Sequence, residues 1–340
     1  MTVLWFFLAI LILSLLLTAG LRWYARAFSI IDIPNARSSH TVPTPRGGGL
    51  AIVLTFLGSL PLLALEAAGS AVPLVEMVAI GGAGALIAVI GFMDDRRHIA
   101  ARWRLLGHFA AAAWMLYWLN GLPPLQVFGY DLDLDWFGCL LAVVYCVWML
   151  NLYNFMDGID GIATVEAVTT CLGMVLLSVL ADAPHLIPLP LLLAAATLGF
   201  MYWNFPAAKI FMGDAGSGFL GIVLAGLSLQ AAWASPQLFW CWLILLGVFV
   251  VDATVTLIRR LLRGEKVYEA HRSHAYQFAT RHYGKHLPVT LAVAALNLFW
   301  LLPVALCVVV LGLDGLWGVA IAYLPLVFLA VRWRAGELEH

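Results

Sequence analysis

Residues 136–180 read WFGCLLAVVYCVWMLNLYNFMDGIDGIATVEAVTTCLGMVLLSVL: an apolar run, a short polar motif from Asn154 to Gly161, and a second apolar run. Each run approaches the roughly 20 residues that a helix needs to cross a hydrocarbon core about 30 Å thick. A charged side chain costs about 2.5–3.5 kcal/mol at the centre of a membrane helix even on the cheaper insertion scale. Asp157 and Asp160 are therefore expected where two spans meet the membrane surface.

The same grammar extends along the chain. Of its 340 residues 63% are hydrophobic and 11% charged, against about 25% charged in a soluble domain. A membrane β-barrel would show alternating segments of roughly 10 residues, and that pattern is absent. The reading is an all-α, polytopic integral membrane helical bundle, a single domain over 1–340. Eleven transmembrane helices are predicted, over 2–21, 47–66, 74–93, 105–120, 136–153, 162–180, 187–203, 217–234, 237–258, 288–311 and 315–331. The first run lacks a basic start and is followed by Arg22 and Arg26, so it reads as a retained helix rather than a signal peptide.

All 18 Lys and Arg fall in or beside 22–46, 94–104, 204–216, 259–287 and 332–340. The loops at the other ends carry Glu66, Glu76, Asp131, Asp133, Asp135, Asp182 and Asp314. Positive charge marks the inner face, which puts the N-terminus outside and the C-terminus in the cytoplasm. A basic inner face suits anionic lipid headgroups and phosphorylated substrates. The five cysteines lie inside predicted spans with no Cys-x-x-Cys pair, so they read as small packing residues. The outer loop 121–135 alternates around Gly129 and is expected to form a short hairpin. A short amphipathic helix is expected within 265–283, after a helix stop at Gly264.

The residues able to do chemistry cluster on the basic face. Asp94 and Asp95 close the third run, and neighbours on a helix point about 100° apart, so one of them need face a given centre. A carboxylate at a helix C-terminus meets a like-signed dipole, which argues against a purely structural pair. Asn154, Asp157 and Asp160 repeat every three residues, more than capping of the next span would need. Asp214, in Gly-Asp-Ala-Gly-Ser, opens an apolar run, where a helix N-terminus can face phosphate. Lys209 and Phe211 precede it with a cation and an aromatic face. His271, Arg272 and His274 form a His-Arg-Ser-His stretch suited to anions. Arg37, Ser38, Ser39, His40 and Arg46 decorate a Pro- and Gly-rich loop, whose Gly47-Gly48-Gly49 amides are expected to contact phosphate. Five carboxylates on one face, remote from every cysteine, point to Mg²⁺ or Mn²⁺ rather than Zn²⁺. Asp252, within a span, reads either as a proton relay or as a support at the inner surface.

These motifs, in this order, resemble the bacterial polyprenyl-phosphate N-acetylhexosamine-1-phosphate transferases, within glycosyltransferase family 4. The likeness covers nearly the whole chain, and Asn-Phe-Met-Asp-Gly-Ile-Asp-Gly at 154–161 and Phe-Met-Gly-Asp-Ala-Gly-Ser at 211–217 are its most specific marks. Where lipid I synthases carry three consecutive histidines, residues 271–274 read His-Arg-Ser-His. With Pro-Asn-Ala-Arg-Ser-Ser-His and Pro-Thr-Pro-Arg-Gly-Gly-Gly, this resembles more the branch that starts O-antigen in lipopolysaccharide synthesis. The resemblance implies transfer of a sugar-1-phosphate from a UDP-N-acetylhexosamine to undecaprenyl phosphate, at the cytoplasmic face of the inner membrane. The N-terminus would be periplasmic, and no nucleic acid would take part. It further implies that Asp214 ligates Mg²⁺ and that Phe211 stacks near the uracil. Asp157, also a metal ligand, and Asp160 would belong to the nucleotide-sugar pocket. Asp94 or Asp95 would activate the lipid phosphate, and His271, Arg272 and His274 would hold the diphosphate or sugar. The rival class is a transporter of a phosphorylated metabolite. Paired repeats and midplane sites would mark one; only Asp252 hints at it.

Overall fold

A computed structural model describes residues 2–34, 42–66, 72–97, 99–265 and 271–338. In it the apolar runs are helices: α1 (Thr2–Ala27), α2 (Leu50–Glu66), α3 (Leu74–Arg96), α4 (Ala101–Leu119), α5 (Asp135–Met156), α6 (Ile162–Leu180) and α7 (Pro188–Asn204). These are followed by α8 (Asp214–Ala234), α9 (Pro236–Leu245), α10 (Gly247–Leu262), α11 (Ala275–Tyr283), α12 (His286–Leu296), α13 (Leu302–Leu311) and α14 (Gly315–Arg332). A π-helical turn, Asn297–Leu301, joins α12 to α13 just before Pro303, whose ring nitrogen has no hydrogen to donate.

Eight helical stretches among the described residues are long and apolar enough to cross a membrane, or nine if α9 and α10 form one bent span. Length and hydropathy thus pick out fewer than the eleven spans expected. α2 has only 17 residues, and α4 begins with Arg102 and Arg104 and carries His108, which lowers its hydropathy. The run 237–258 breaks at Leu246 into α9 and α10, bent by 69°. Its second half is not uniformly apolar: Asp252, Thr256 and Arg260 recur every four residues, and this stripe is buried within the protein. The helix then stops at Gly264, in the left-handed region, as expected.

At the centre stands α8, buried from Ala215 to Ala232 and flanked by α3 and α5. Small residues allow this. A Cβ on Gly91 of α3 would lie 2.6 Å from the Asp214 carbonyl oxygen, and one on Gly221 of α8 would lie 2.7 Å from the Met149 oxygen of α5. Backbones this close gain dispersion contact, which is what holds helices together in lipid. Large apolar side chains such as Leu13, Leu62, Trp136 and Phe328 cover the outside.

Two short hairpins complete the chain. β1 (Ile31–Asp32) pairs antiparallel with β2 (Thr44–Pro45). β3 (Leu125–Val127) pairs with β4 (Tyr130–Leu132) through a turn in which Phe128 and Gly129 both have positive φ, the hairpin expected there. No disulfide forms, and Cys146, Cys171 and Cys241 are buried packing residues.

Candidate active site

The site begins where β2 runs into α2. The Phe211 amide donates to the Pro45 carbonyl at 2.8 Å, and the Gly48 and Gly49 amides donate to the Phe211 and Met212 carbonyls at 2.9 Å each. This short ladder stitches the Pro-Arg-Gly-Gly-Gly loop to the Phe-Met-Gly-Asp loop. A Cβ on Gly49 would lie 2.6 Å from Gly216 Cα. The glycines therefore serve close packing, and the Gly48 and Gly49 amides are committed to the protein rather than to phosphate. Arg37, Ser38, Ser39 and His40 lie outside the described residues.

The loop delivers Arg46 into the carboxylates. Its Nη2 lies 2.6 Å from Asp214 Oδ1 and 2.9 Å from Asp95 Oδ1. Burial works against the Arg46 charge, but Asp214 and Asp95 outweigh it and raise its pKa above the ordinary value. Asp95 also accepts from the Asp214 amide at 3.2 Å and the Ala215 amide at 3.3 Å. It closes the N-terminus of α8 from the last turn of α3, where the α8 dipole offsets the unfavourable one of its own helix. Asp94 turns the other way. Its Oδ1 accepts from the Ile99 amide at 2.7 Å, and its Oδ2 pairs with Arg104. The two adjacent aspartates therefore do different work.

A first cavity of about 220 Å³ is lined by Asp32, Arg46, Asn154, Asp157, Asp160, Phe211, Asp214 and Ser217, with Asn204, Gln277 and His286. Asn154 donates to Ser217 Oγ at 2.9 Å. Asp160 accepts from the Ala208 amide at 2.9 Å and lies 3.0 Å from His286 Nδ1. Asn204 accepts from the Gly161 amide and donates to the Ile210 carbonyl, both at 3.1 Å, tying the two motif loops together. Among the described residues, Asp157 accepts no hydrogen bond. Burial first, then the neighbouring Asp214, pushes its pKa well above the usual carboxylate range.

No three His, Cys, Asp or Glu side chains form a ready-made metal cage among the described residues. Mg²⁺ does not need one, since it takes one or two carboxylates and fills its shell with water and phosphate. Asp157, a carboxyl without a protein donor beside Asp214, is an oxygen donor set of that kind.

Other expected residues are placed elsewhere. Lys209 does not line the cavity; it is exposed, its Nζ 5.4 Å from the Trp203 ring and 5.6 Å from the Tyr202 ring, where the aromatic faces attract the cation. His271, Arg272 and His274 do not line the first cavity; Gln277, one turn beyond, does. His274 is buried with its Nδ1 3.3 Å from Asp252 Oδ1. His271 Nδ1 lies 2.9 Å from Ser273 Oγ. Burial, then the neighbouring His274 and Arg260, pushes the His271 pKa down to about 3. It is thus a neutral hydrogen-bonding ring at physiological pH. Asp252 is the support: its Oδ1 accepts from the Ala275 amide at 2.9 Å and its Oδ2 from the Tyr276 amide at 3.0 Å. With Thr256 also donating to it, it is a clamp on the start of α11 rather than a proton relay.

A second cavity of about 170 Å³ lies between α3, α4, α5 and α8. Ile87, Ile90, Leu105 and Leu150 line it beside Asp94, Arg104, His108 and Asn151. Asn154 and Asp214 line both cavities, which therefore meet there. Sequence reasoning did not single out Asn204, His286, Gln277, Arg104, His108 or Asn151. The signal present for the last two was a polar side chain inside an otherwise apolar run.

Residues 77–232 match the family model described as glycosyl transferase family 4. The chain is 31% identical over 276 residues to a probable undecaprenyl-phosphate N-acetylglucosaminyl 1-phosphate transferase of Bacillus subtilis, covering 79% of this chain and 75% of that protein. It is 30% identical over 296 residues to a decaprenyl-phosphate N-acetylglucosaminephosphotransferase of Mycobacterium tuberculosis, covering 78% and 72%. A phospho-N-acetylmuramoyl-pentapeptide-transferase of Pelotomaculum thermopropionicum is 33% identical over a shorter stretch of 191 residues, covering 50% and 57%. The loops 154–161 and 211–217 fall inside the matched region, and the chain belongs to glycosyl transferase family 4.

Proposed function

We propose that this protein transfers an N-acetylhexosamine-1-phosphate from a UDP-sugar to undecaprenyl phosphate, releasing UMP. The product, an undecaprenyl diphosphate-linked sugar, would start O-antigen or a related envelope polysaccharide. The observation that carries this reading is the meeting of a polar cavity and an apolar-walled cavity across Asn154 and Asp214. A reaction joining a nucleotide sugar to a lipid needs such a pair of compartments. The names of the relatives, with their undecaprenyl and decaprenyl phosphate, support the same class.

An oxygen of the lipid phosphate attacks the sugar-bearing phosphorus of the UDP-sugar, a new P–O bond forms, and the bond to UMP breaks. Phosphoryl transfer is governed by positioning and by neutralising charge. Asp157 and Asp214 would hold Mg²⁺ or Mn²⁺, which when bound supplies charge neutralisation to the diphosphate and the departing UMP. Phe211 offers a face to the uracil. Arg46 balances Asp95 and Asp214 and keeps them from repelling the anionic substrates. Asp94, already accepting from Arg104 and Ile99, is a poor nucleophile; that favours direct attack by the lipid phosphate over a covalent enzyme intermediate. The distribution of Lys and Arg supports eleven crossings with this end facing the cytoplasm of the bacterial inner membrane.

The test is purified protein with a panel of UDP-N-acetylhexosamines, Mg²⁺ and undecaprenyl phosphate. UMP should appear only when lipid and the right sugar are both present. Absence of UMP with every sugar, or uptake of a phosphorylated metabolite into vesicles, would overturn the reading.

A further inference from the structure

Arg104 and His108 stand one turn apart on α4 and both line the second cavity. Arg104 Nη1 pairs with Asp94 Oδ2, which leaves the other edge of the guanidinium. Its Nε is buried and has no hydrogen-bond partner. A buried donor left in that state is costly, and a guanidinium edge is shaped for two oxygens of a phosphate.

His108 carries a second donor. Asn151 Nδ2 donates to the Val147 carbonyl at 2.7 Å, which fixes the amide the right way round, and lies 3.3 Å from His108 Nδ1. Its second hydrogen therefore goes to Nδ1, which acts as acceptor. In the neutral imidazole the proton then sits on Nε2, which makes no hydrogen bond among the described residues. Arg104 and His108, each carrying a donor without a partner among the described residues, thus line one small cavity whose remaining walls include Ile87, Ile90, Leu105 and Leu150.

We propose that the second cavity receives the phosphomonoester head of a polyprenyl phosphate, with Arg104 Nε and His108 Nε2 as its donors and Asn151 as the residue that sets the His108 tautomer. This rests on the transferase reading above and assigns its lipid substrate to particular side chains. The apolar walls favour a phosphate carried on a hydrocarbon over free phosphate. Asp94 does not repel it, because Arg104 holds that charge. From this cavity the phosphate reaches the first one past Asn154 and Asp214.

The experiment uses full-length protein in detergent and two variants. His108→Ala removes one donor. Arg104→Lys keeps a cation for Asp94 but has no Nε–H. Each should raise the KM for undecaprenyl phosphate about tenfold, the scale of one hydrogen bond to a charged group. The KM for the UDP-sugar should stay within about twofold, since that substrate lies across Asn154. Undecaprenyl phosphate binding, measured without turnover by native mass spectrometry, should weaken to the same degree. Inorganic phosphate at the same concentration should not displace it from the wild type. If the variants bind the lipid as the wild type does, or raise only the UDP-sugar KM, the assignment is wrong while the transferase reading stands. Displacement by inorganic phosphate alone would overturn the lipid as occupant. A wild type that binds the lipid but releases no UMP would instead overturn the transferase reading.

Discussion

Asp252 gives the sharpest test of how the His-Arg-Ser-His segment is held. Both of its oxygens accept a backbone amide at the start of α11: Ala275 at 2.9 Å and Tyr276 at 3.0 Å. In Asp252→Asn the new NH₂ must face one of these N–H groups whichever way the amide turns, so one buried donor loses its acceptor. Each such loss costs about 1–3 kcal/mol. Asp252→Ala loses both, about 2–6 kcal/mol on the same scale. The element that opens is α11, so the readout is hydrogen exchange of residues 275–283 in the detergent-solubilised protein. With a factor of ten for every 1.4 kcal/mol, exchange should quicken about tenfold in Asn and about a hundredfold or more in Ala. Because Gln277 of this helix lines the first cavity, the KM for the UDP-sugar should rise in the same order. That for undecaprenyl phosphate should move little. Wild-type protection of α11 in Asp252→Ala would refute the claim that this carboxylate holds the segment.

Three further outcomes follow from the site. Asp214→Asn keeps its shape but loses its charge, and turnover should fall on the order of 10²-fold or more, the scale of losing a key electrostatic group; near-normal rates with an unchanged Mg²⁺ requirement would remove Asp214 from the metal site. His271 is pushed down to about 3 in the folded protein, so the unfolded chain takes up a proton below about pH 6.5 that the folded one refuses. Stability should therefore fall as pH drops from about 6.5 toward 4, and melting curves of His271→Gln should show a shallower decline. A reporter fused within 121–135 should be periplasmic and one within 271–287 cytoplasmic; the opposite result would put the carboxylates on the wrong face.

The polar ends of the spans were readable because charge is excluded from lipid: the run predicted over 74–93 is α3, and its two aspartates stand in its final turn. The bend between α9 and α10 was hidden because hydropathy averaged over 237–258 blurs a stripe spaced every four residues. Helix geometry said that only one of Asp94 and Asp95 need face a given centre. It could not say where each would go, because their partners are the side chain of Arg104 on one side and the start of α8, more than a hundred residues away, on the other. Gly48, Gly49 and Lys209 misled for a related reason. A glycine amide and a lysine ammonium look available for phosphate until the fold supplies carbonyls and aromatic rings that take them first. His286 gave no local signal; it matters only because α12 begins beside Asp160.

The burial of α8 from Ala215 to Ala232 has a mechanical consequence. Helices that touch lipid tilt or shift when the bilayer thickens or thins. From Ala215 to Ala232 α8 has no such face, so a change in acyl-chain length reaches Asp214 through the surrounding helices, chiefly α3 and α5, which are packed against α8 at glycine contacts. Asp95 adds a polar tie at the end where the two cavities meet. The spacing of the reacting groups is thereby insulated from the thickness of the surrounding membrane, while the outer helices absorb the mismatch.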